Sequence, residues 1–173
     1  MKRIILLILA VVLFYGCGGN APYKLGYLWK PKNDFGRELK AKYVTELLSV
    51  YDNVKLSGLK IRESGIGFTG ADSCEMEWNC KEGNFYMFII VDDGQITNLK
   101  FKNYEDRVLK IKERYYEDVK YLLKRSDIKK IIEDEQFGGV ILDLNWTLRD
   151  IKKITKPVYE SAKFFIKKDE LIK

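Results

Sequence analysis

The seven residues FYMFIIV, positions 85–91, decide the fold class. A short, continuous apolar run with aromatic and β-branched residues, bounded by turn residues, is typical of a strand buried in a sheet. Asp92-Asp93-Gly94 follows at once and predicts a hairpin, because Asp-Gly tolerates the positive φ that tight turns need. We therefore expect residues 95–102 to return as the antiparallel partner of this strand.

A long amphipathic helix is predicted next, from Tyr104 to Lys124, with Asn103 as its N-cap. Its apolar side chains recur at intervals of three and four residues, and a second line widens the apolar face beyond about 100°. A face of that width is typical of a helix that packs across a sheet. The residues are Tyr104, Val108, Ile111, Tyr115, Val119 and Leu122, with Leu109, Tyr116 and Leu123 beside them.

The clearest alternation in the chain lies further on, at residues 140–148. Apolar residues at the even positions predict a half-buried strand. Asp143 and Asn145 fall on its other face, where we expect them to point towards solvent.

The segments around this strand are predicted less sharply. Ser126 is expected to start a short helix that runs through Ile132. Residues 158–166 fit either a helix or a strand, and we favour a strand that pairs with 140–148. The polar residues 167–170 are expected to form a turn.

Towards the N-terminus, the pattern changes from strand to helix. Asn33 or Asp34 can cap a helix whose apolar residues recur at helical spacing until about residues 51–53. The residues after it predict a strand over 54–62, a turn at 63–65 and a further strand over 65–69.

These elements predict a single α+β domain over residues 34–173. It consists of an N-terminal helix, an antiparallel β-meander packed against the long amphipathic helix, and one or two C-terminal strands. The chain has 173 residues, of which 46% are hydrophobic and 32% are charged. Such a chain can build one core and is not disordered.

The first seventeen residues carry a targeting signal. Met1-Lys2-Arg3 is followed by twelve apolar residues, Ile4 to Tyr15, and then by Gly16-Cys17. A helix of that length rises only ~18 Å, which is too short for a ~30 Å hydrocarbon core. It has the length of a signal-peptide apolar segment.

The residues Leu13-Phe14-Tyr15-Gly16-Cys17 resemble the lipobox of bacterial lipoprotein precursors. The resemblance implies that residues 1–16 are removed as a signal peptide and that Cys17 is acylated, which anchors the chain to a membrane of the cell envelope. An uncleaved N-terminal anchor and a secretory peptide without lipid are the alternatives.

Residues 17–33 are then expected to form a tether between the lipidated cysteine and the domain. Tyr23, Tyr27 and Trp29 in this segment can lie at the lipid headgroups, as interfacial aromatic residues do. They can also close over the domain's own core as an edge strand, which is the interpretation that we favour.

Acylation of Cys17 leaves an even pair, Cys74 and Cys80, which can be oxidised outside the cytoplasm. In a straight strand the two Cα atoms would lie ~20 Å apart, beyond the reach of a disulfide. Alternation from Cys74 to Cys80 fits such a strand, whereas the turn residues on both sides fit a closed loop. We favour the loop and the disulfide over a metal site, which two thiolates rarely complete.

The composition excludes several classes of function. The chain has no histidine, which removes Ser-His-Asp and Cys-His nucleophilic sites and every metal site that needs histidine. The carboxylates clustered between residues 72 and 93 are expected to be a solvated hairpin face. We therefore predict no catalytic residue, no metal and no cofactor.

Loss of Lys2 and Arg3 lowers the formal charge from +6 to +4, so an exported chain is not expected to bind nucleic acid.

The function expected is that of a non-enzymatic, lipid-anchored envelope protein that binds a protein partner or supports assembly. The alternative is a periplasmic carrier that encloses an apolar ligand. A cavity of several hundred Å³ between the sheet and the long helix would favour the carrier, and a solid core would favour the binding module.

Overall fold

The computed structural model describes residues 26–92, 103–148 and 158–172. These ranges contain four α-helices, two short 3₁₀ helices and four strands. In chain order the α-helices and strands are α1 (Asp34–Leu56), β1 (Ile61–Gly70), β2 (Phe85–Asp92), α2 (Tyr104–Arg125), α3 (Lys129–Ile132), β3 (Phe137–Leu148), β4 (Val158–Lys167) and α4 (Lys168–Leu171).

The four strands form one sheet in the order β1-β2-β3-β4, and the α+β class is confirmed. The two outer pairs, β1–β2 and β3–β4, are antiparallel. The central pair, β2–β3, is parallel, so the sheet is mixed and departs here from the expected antiparallel meander. The reason is that α2 lies between the two strands in sequence and carries the chain back along the sheet, so β3 starts beside the start of β2. Residues 95–102, the expected hairpin partner of β2, lie outside the described residues.

Apolar side chains fill the space between the helices and one face of the sheet. Successive residues of a strand point to opposite faces, and β2 sends Phe85, Met87, Ile89 and Val91 to this side. Val140, Leu142, Leu144 and Trp146 of β3 join them. The helices contribute Leu39, Tyr43, Leu47, Val50, Tyr51 and Val54 of α1, and Ile111, Tyr115, Val119 and Leu123 of α2. The outer strands add Ile61, Ile66 and Phe68 of β1 and Phe164 and Ile166 of β4.

The helix starts follow the sequence closely. The side chains of Asn33 and Asn103 each accept a hydrogen bond from the backbone N–H three residues on, at 2.9 Å in both cases. Those N–H groups have no partner inside the helix, so the two asparagines fix where α1 and α2 begin.

The helix ends are less obvious. α1 continues to Leu56, so the strand predicted over 54–62 begins only at Ile61. Val54 is fully buried because it extends the apolar stripe of the helix by one more turn. Ser57 and Gly58 then close the helix through N–H bonds to the carbonyls of Val54 and Lys55.

Ser126 ends α2 instead of starting the next helix. Its N–H donates to the carbonyls of Leu122 and Leu123, and its hydroxyl donates to the carbonyl of Leu122 at 2.9 Å. The short helix α3 therefore begins only at Lys129. The polar residues expected to form a turn after β4 instead begin the short helix α4.

The turn expected at residues 63–65 is a bulge inside β1. The register with β2 shifts between Ile61 and Ile66, and Ser64 adopts a positive φ of 56°. An extra residue in one strand bends it and strengthens its twist.

Residues 158–167 form a strand, as favoured from the sequence, and β4 pairs with β3 over ten consecutive residues. Two tyrosines of α2 reach the outer edge of this strand. Tyr104 Oη donates to the carbonyl of Ser161 at 3.2 Å, and Tyr116 Oη donates to that of Phe165 at 3.1 Å. Within the described ranges, no helix combines the length and the apolar character needed to cross a bilayer.

Candidate functional site

A groove lies on the face of the sheet opposite to the core. It has a volume of about 450 Å³ and is open to solvent. Phe88 and Ile90 of β2 and Ile141 of β3 form its floor, and Asp143 and Lys163 stand beside them. These residues meet because they occupy the alternate positions of adjacent strands, opposite to those that build the core.

The loop between Cys74 and Cys80 borders this face on one side. The two cysteines form a disulfide with their Cα atoms 6.2 Å apart, so the pairing favoured from the sequence is present. The strand alternative fails because the segment turns back on itself through the 3₁₀ helices Ala71–Ser73 and Met76–Trp78. Asn79 makes the return turn with a positive φ of 52°. The disulfide therefore closes a compact loop at the end of β1.

Aromatic contacts hold this disulfide loop over the sheet. The indole of Trp78 stacks on the ring of Phe165 in β4, with ring centroids 5.4 Å apart. Tyr86 of β2 meets the same Phe165 ring edge-on, and its hydroxyl accepts a hydrogen bond from the Lys81 N–H at 2.9 Å. A Cβ at Gly138 would lie 2.2 Å from the Tyr86 ring, so only glycine leaves room for it there.

The opposite wall of the groove comes from the segment that precedes α1. Its backbone pairs with β1, since Trp29 N–H donates to the Ile66 carbonyl at 2.7 Å and Ile66 N–H to the Tyr27 carbonyl at 3.3 Å. The Trp29 side chain then crosses Gly67, where a Cβ would lie 2.3 Å from it, and meets Phe88 edge-to-face. Tyr27 and Trp29 thus pack on the domain, as favoured, while Tyr23 lies outside the described residues.

Asp143 gives the groove a carboxylate in a partly buried position. We expected Asp143 and Asn145 to be solvated, but both are half-buried, and Asp143 lines the groove beside Lys163. Burial raises the pKa of Asp143. The charges of Lys163 and Arg62 and a 3.1 Å hydrogen bond from the Asn145 amide oppose that rise without cancelling it. The carboxylate is therefore poorly compensated and would gain from a cationic ligand.

The disulfide loop itself carries negative charge around an exposed apolar side chain. Met76 is fully exposed at its tip, between Glu75 and Glu77, which are exposed as expected. Asp72 lines the groove below the tip. Asp92, at the other end of the acidic segment, pairs with Arg62 through two hydrogen bonds of 2.7 and 3.0 Å.

The arrangement offers a surface to which a ligand could bind. The described ranges contain no group of three or more potential ligand side chains (His, Cys, Asp or Glu) placed to hold a metal ion. Cys17, the predicted acylation site, lies outside them.

The groove could have been inferred in part, because FYMFIIV is apolar on both of its faces and a sheet with helices on one side must cover the other. Nothing in the sequence pairs Trp29 or Trp78 with that face.

The chain matches no protein-family model, no curated protein sequence and no solved structure.

Proposed function

We propose that this chain is an exported, lipid-anchored binding module whose groove holds a basic segment of another envelope protein that carries an apolar side chain. The groove on the open sheet face is the observation that carries the proposal. It combines an apolar floor, a wall that carries Trp29 and a partly buried carboxylate, which is the composition of a recognition site and not of a solvated surface.

Two features of the sequence and the structure support an exported location. The leader resembles that of a lipoprotein precursor, with Cys17 at the acylated position. The Cys74–Cys80 disulfide agrees with an oxidising compartment, since disulfides persist there and are rare in the cytoplasm.

The negative charge of the disulfide loop indicates what kind of partner segment would bind. The disulfide loop and the residues that flank it hold Asp72, Glu75, Glu77 and Glu82 against Lys81. Attraction between opposite charges would favour the approach of a partner segment that carries lysine or arginine, and it would orient that segment on this surface. The exposed side chain of Met76 offers a flexible apolar contact that adapts to the partner's surface.

The second candidate is a carrier of an apolar ligand. Its interior site was expected between the sheet and the long helix, where the structure has a filled cluster of apolar side chains. The groove itself is large enough for a small apolar molecule, and this is the observation that keeps the carrier as an alternative.

Site-specific photo-crosslinking in intact cells tests the proposal. A photoreactive residue at position 76 or 88 should capture one and the same partner through a segment of net positive charge. The matched control is position 109, where Leu109 is exposed on α2, away from the groove. Equal capture from position 109, or a captured segment of net negative charge, would contradict the proposal. A lipid adduct at position 88 would favour the carrier.

Charge reversal supplies the second arm of this experiment. Glu75→Lys together with Glu77→Lys should abolish capture from position 88 because the new charges repel a basic segment. Glu113→Lys together with Glu135→Lys makes the same change of charge on exposed residues elsewhere and should leave capture intact.

A further inference from the structure

The segment nearest to the proposed anchor joins the domain towards one end of the sheet. Residues 26–29 run parallel to β1, with Leu28 paired to Ile66. The Gly26 carbonyl accepts a hydrogen bond from the Ser64 N–H at 3.3 Å. Because the pairing is parallel, the segment traced back to Gly26 leads towards the start of β1. The remaining six residues of β1 place the end of that strand, and with it the disulfide loop, ~20 Å away.

All four strands have one terminus at the end of the sheet where β1 starts, which we call the near end. β1 and β4 begin there and β2 and β3 finish there, because the two outer pairs are antiparallel and the central pair is parallel. α1 finishes there as well. Four residues after Leu56, the Lys60 carbonyl accepts a hydrogen bond from the Asp92 N–H at 2.8 Å. The disulfide loop follows the end of β1 and so lies at the opposite, far end.

Two large side chains are strongly exposed at the near end. Leu56, the last residue of α1, is 85% exposed, and Tyr159, the second residue of β4, is 78% exposed. Tyrosine is enriched at membrane surfaces, where its ring is buried among the headgroups while its hydroxyl stays hydrated. Leucine gains there from the burial of its apolar surface. Both side chains therefore suit contact with the headgroup region of a bilayer.

We propose that the near end contacts the membrane that carries the anchor, with Leu56 and Tyr159 among the lipid headgroups; this inference rests on the proposed acylation of Cys17. Nine residues lead from Cys17 to Gly26, a span of at most ~30 Å. If the disulfide loop faced the bilayer instead, Gly26 would lie at least ~20 Å from it, and the connecting segment would be stretched over most of its length. Stretching removes conformational freedom, so contact through the near end is favoured.

This orientation turns the disulfide loop away from the membrane. Glu75 and Glu77 of that loop are exposed, and anionic headgroups would repel them. At the far end these carboxylates are instead available to the basic segment proposed as the partner of the groove. The partner would therefore approach from the side of the domain that faces away from the membrane.

Lipid crosslinking in vesicles tests the orientation. The full chain, with lipid on Cys17 verified by intact mass, is reconstituted in vesicles of phosphatidylethanolamine and phosphatidylglycerol. A photoreactive residue is placed at position 56 or 159, or at position 76 or 172 as the control. Met76 and Ile172 are also exposed apolar residues, but they lie at the far end, in the disulfide loop and after α4. Positions 56 and 159 should form at least ten times as much phospholipid adduct as positions 76 and 172.

The outcomes separate this inference from the proposed anchor. Lipid on Cys17 with equal adduct at the two ends, or more at the far end, would overturn the orientation and leave the anchor intact. A native chain without lipid on Cys17 would refute the anchor and the orientation with it.

Two variants of exposed residues supply a second arm. Tyr159→Asp should lower the phospholipid adduct at position 56 several-fold, because anionic headgroups repel the new carboxylate. Ile172→Asp makes a comparable change at the far end and should leave that adduct unchanged. Both side chains are exposed, so neither substitution disturbs the core. Equal adduct at position 56 in both variants would contradict contact through the near end.

Discussion

At the scale of single residues, Asp134 is a carboxylate that binds three hydrogen-bond donors. It accepts hydrogen bonds from Lys42 Nζ at 2.8 Å, from Tyr43 Oη at 2.5 Å and from the Gln136 N–H at 2.9 Å. Burial raises its pKa, but these three donors outweigh burial and hold the pKa at about 2. The carboxylate thus ties the middle of α1, where the helix kinks at Tyr43, to the turn before β3.

Asp134→Asn should lower the free energy of unfolding at pH 7 by about 1–2 kcal/mol. The effect is no larger because Lys42 is half exposed, so water screens its attraction to the carboxylate. The folded pKa lies below the unfolded value near ~3.9, so the stabilisation is complete above that value and is lost as the pH falls through about 2. Urea unfolding from pH 7 to pH 2 should therefore show the wild type and the variant converging. Asp127→Asn, at an exposed carboxylate, is the control, and a gap as wide at pH 2 as at pH 7 would contradict the assignment.

Asp143→Asn should act in the opposite direction and raise stability at neutral pH. Burial raises the pKa of this carboxyl in the folded state, so its ionised form opposes folding at pH 7. The gain should disappear below the unfolded pKa, where both states are protonated. The hydrogen bond from Asn145 survives, because the new amide oxygen still accepts it. Denaturant unfolding at pH 7 and pH 3 measures the effect, and a loss of stability at pH 7 would show that Lys163 and Arg62 compensate the charge fully.

At the scale of elements, an ion pair joins the first turn of α2 to β4. Arg107 holds Glu160 through two hydrogen bonds of 2.6 and 2.8 Å, and Trp146 Nε1 donates to the same carboxylate at 2.9 Å. The side chains of Arg107 and Glu160 are only 18% and 14% exposed. Removing one partner of such a pair leaves the other charge poorly solvated.

Glu160→Gln should therefore cost about 1–3 kcal/mol of unfolding free energy. Glu117→Gln is the matched control, because Glu117 pairs with Lys120 at a site where its own side chain is 68% exposed. That change should cost less than about 0.5 kcal/mol. Equal effects of the two substitutions would mean that burial does not decide the strength of the Arg107–Glu160 pair.

The disulfide loop is the second element whose stability can be measured. Closing a loop of seven residues stabilises by ~2.4 kcal/mol at most in the chain-entropy model. Cys74→Ser should cost one to a few kcal/mol, Cys80→Ser about as much, and the double variant no more than either, since all three remove the same bond. Thiol alkylation of the denatured, unreduced protein checks the bond directly. Two labelled thiols in protein recovered from an oxidising envelope would contradict the structure.

The elements show which parts of the fold the sequence could predict. Asn33 and Asn103 determine two helix starts by a local hydrogen bond, so a local reading finds them. The parallel pairing of β2 with β3 depends instead on where α2 returns the chain, and no local pattern encodes that. A continuous apolar strand followed by a long helix is compatible with a parallel crossover. The hairpin predicted from Asp92-Asp93-Gly94 falls on residues outside the described ranges.

The groove was less predictable than the fold, because it too depends on segments that are distant in the chain. The second face of β2 is visible in the sequence as Tyr86, Phe88 and Ile90. Its walls come from residues far away in the chain, and Trp78 meets Phe165 only because four strands align in register. The disulfide could be predicted from the sequence. The even number of remaining cysteines favoured a bond, and the limit on Cα separation meant that such a bond needs a closed loop.

At the scale of the whole molecule, the proposed anchor makes a prediction about mass and location. The chain purified from membranes should lack residues 1–16 and carry lipid on Cys17. Cys17→Ser should move the protein out of the membrane fraction, because the acyl chains supply the anchoring free energy. Intact-mass spectrometry and fractionation check both points. An unmodified Cys17, or a mature chain that starts at another residue, would contradict the lipoprotein resemblance.

Part of each edge of the sheet is covered, and this limits how copies of the protein can meet. Residues 26–29 run along β1, and the hydroxyls of Tyr104 and Tyr116 occupy carbonyls on the outer side of β4. An open strand edge is a template on which another chain can add and aggregate. Proteins tethered to one surface collide often, so such an edge would be a hazard there. Where its edges are covered, the molecule resists growth of the sheet from copy to copy, and a partner must be recognised there through side chains instead of backbone pairing.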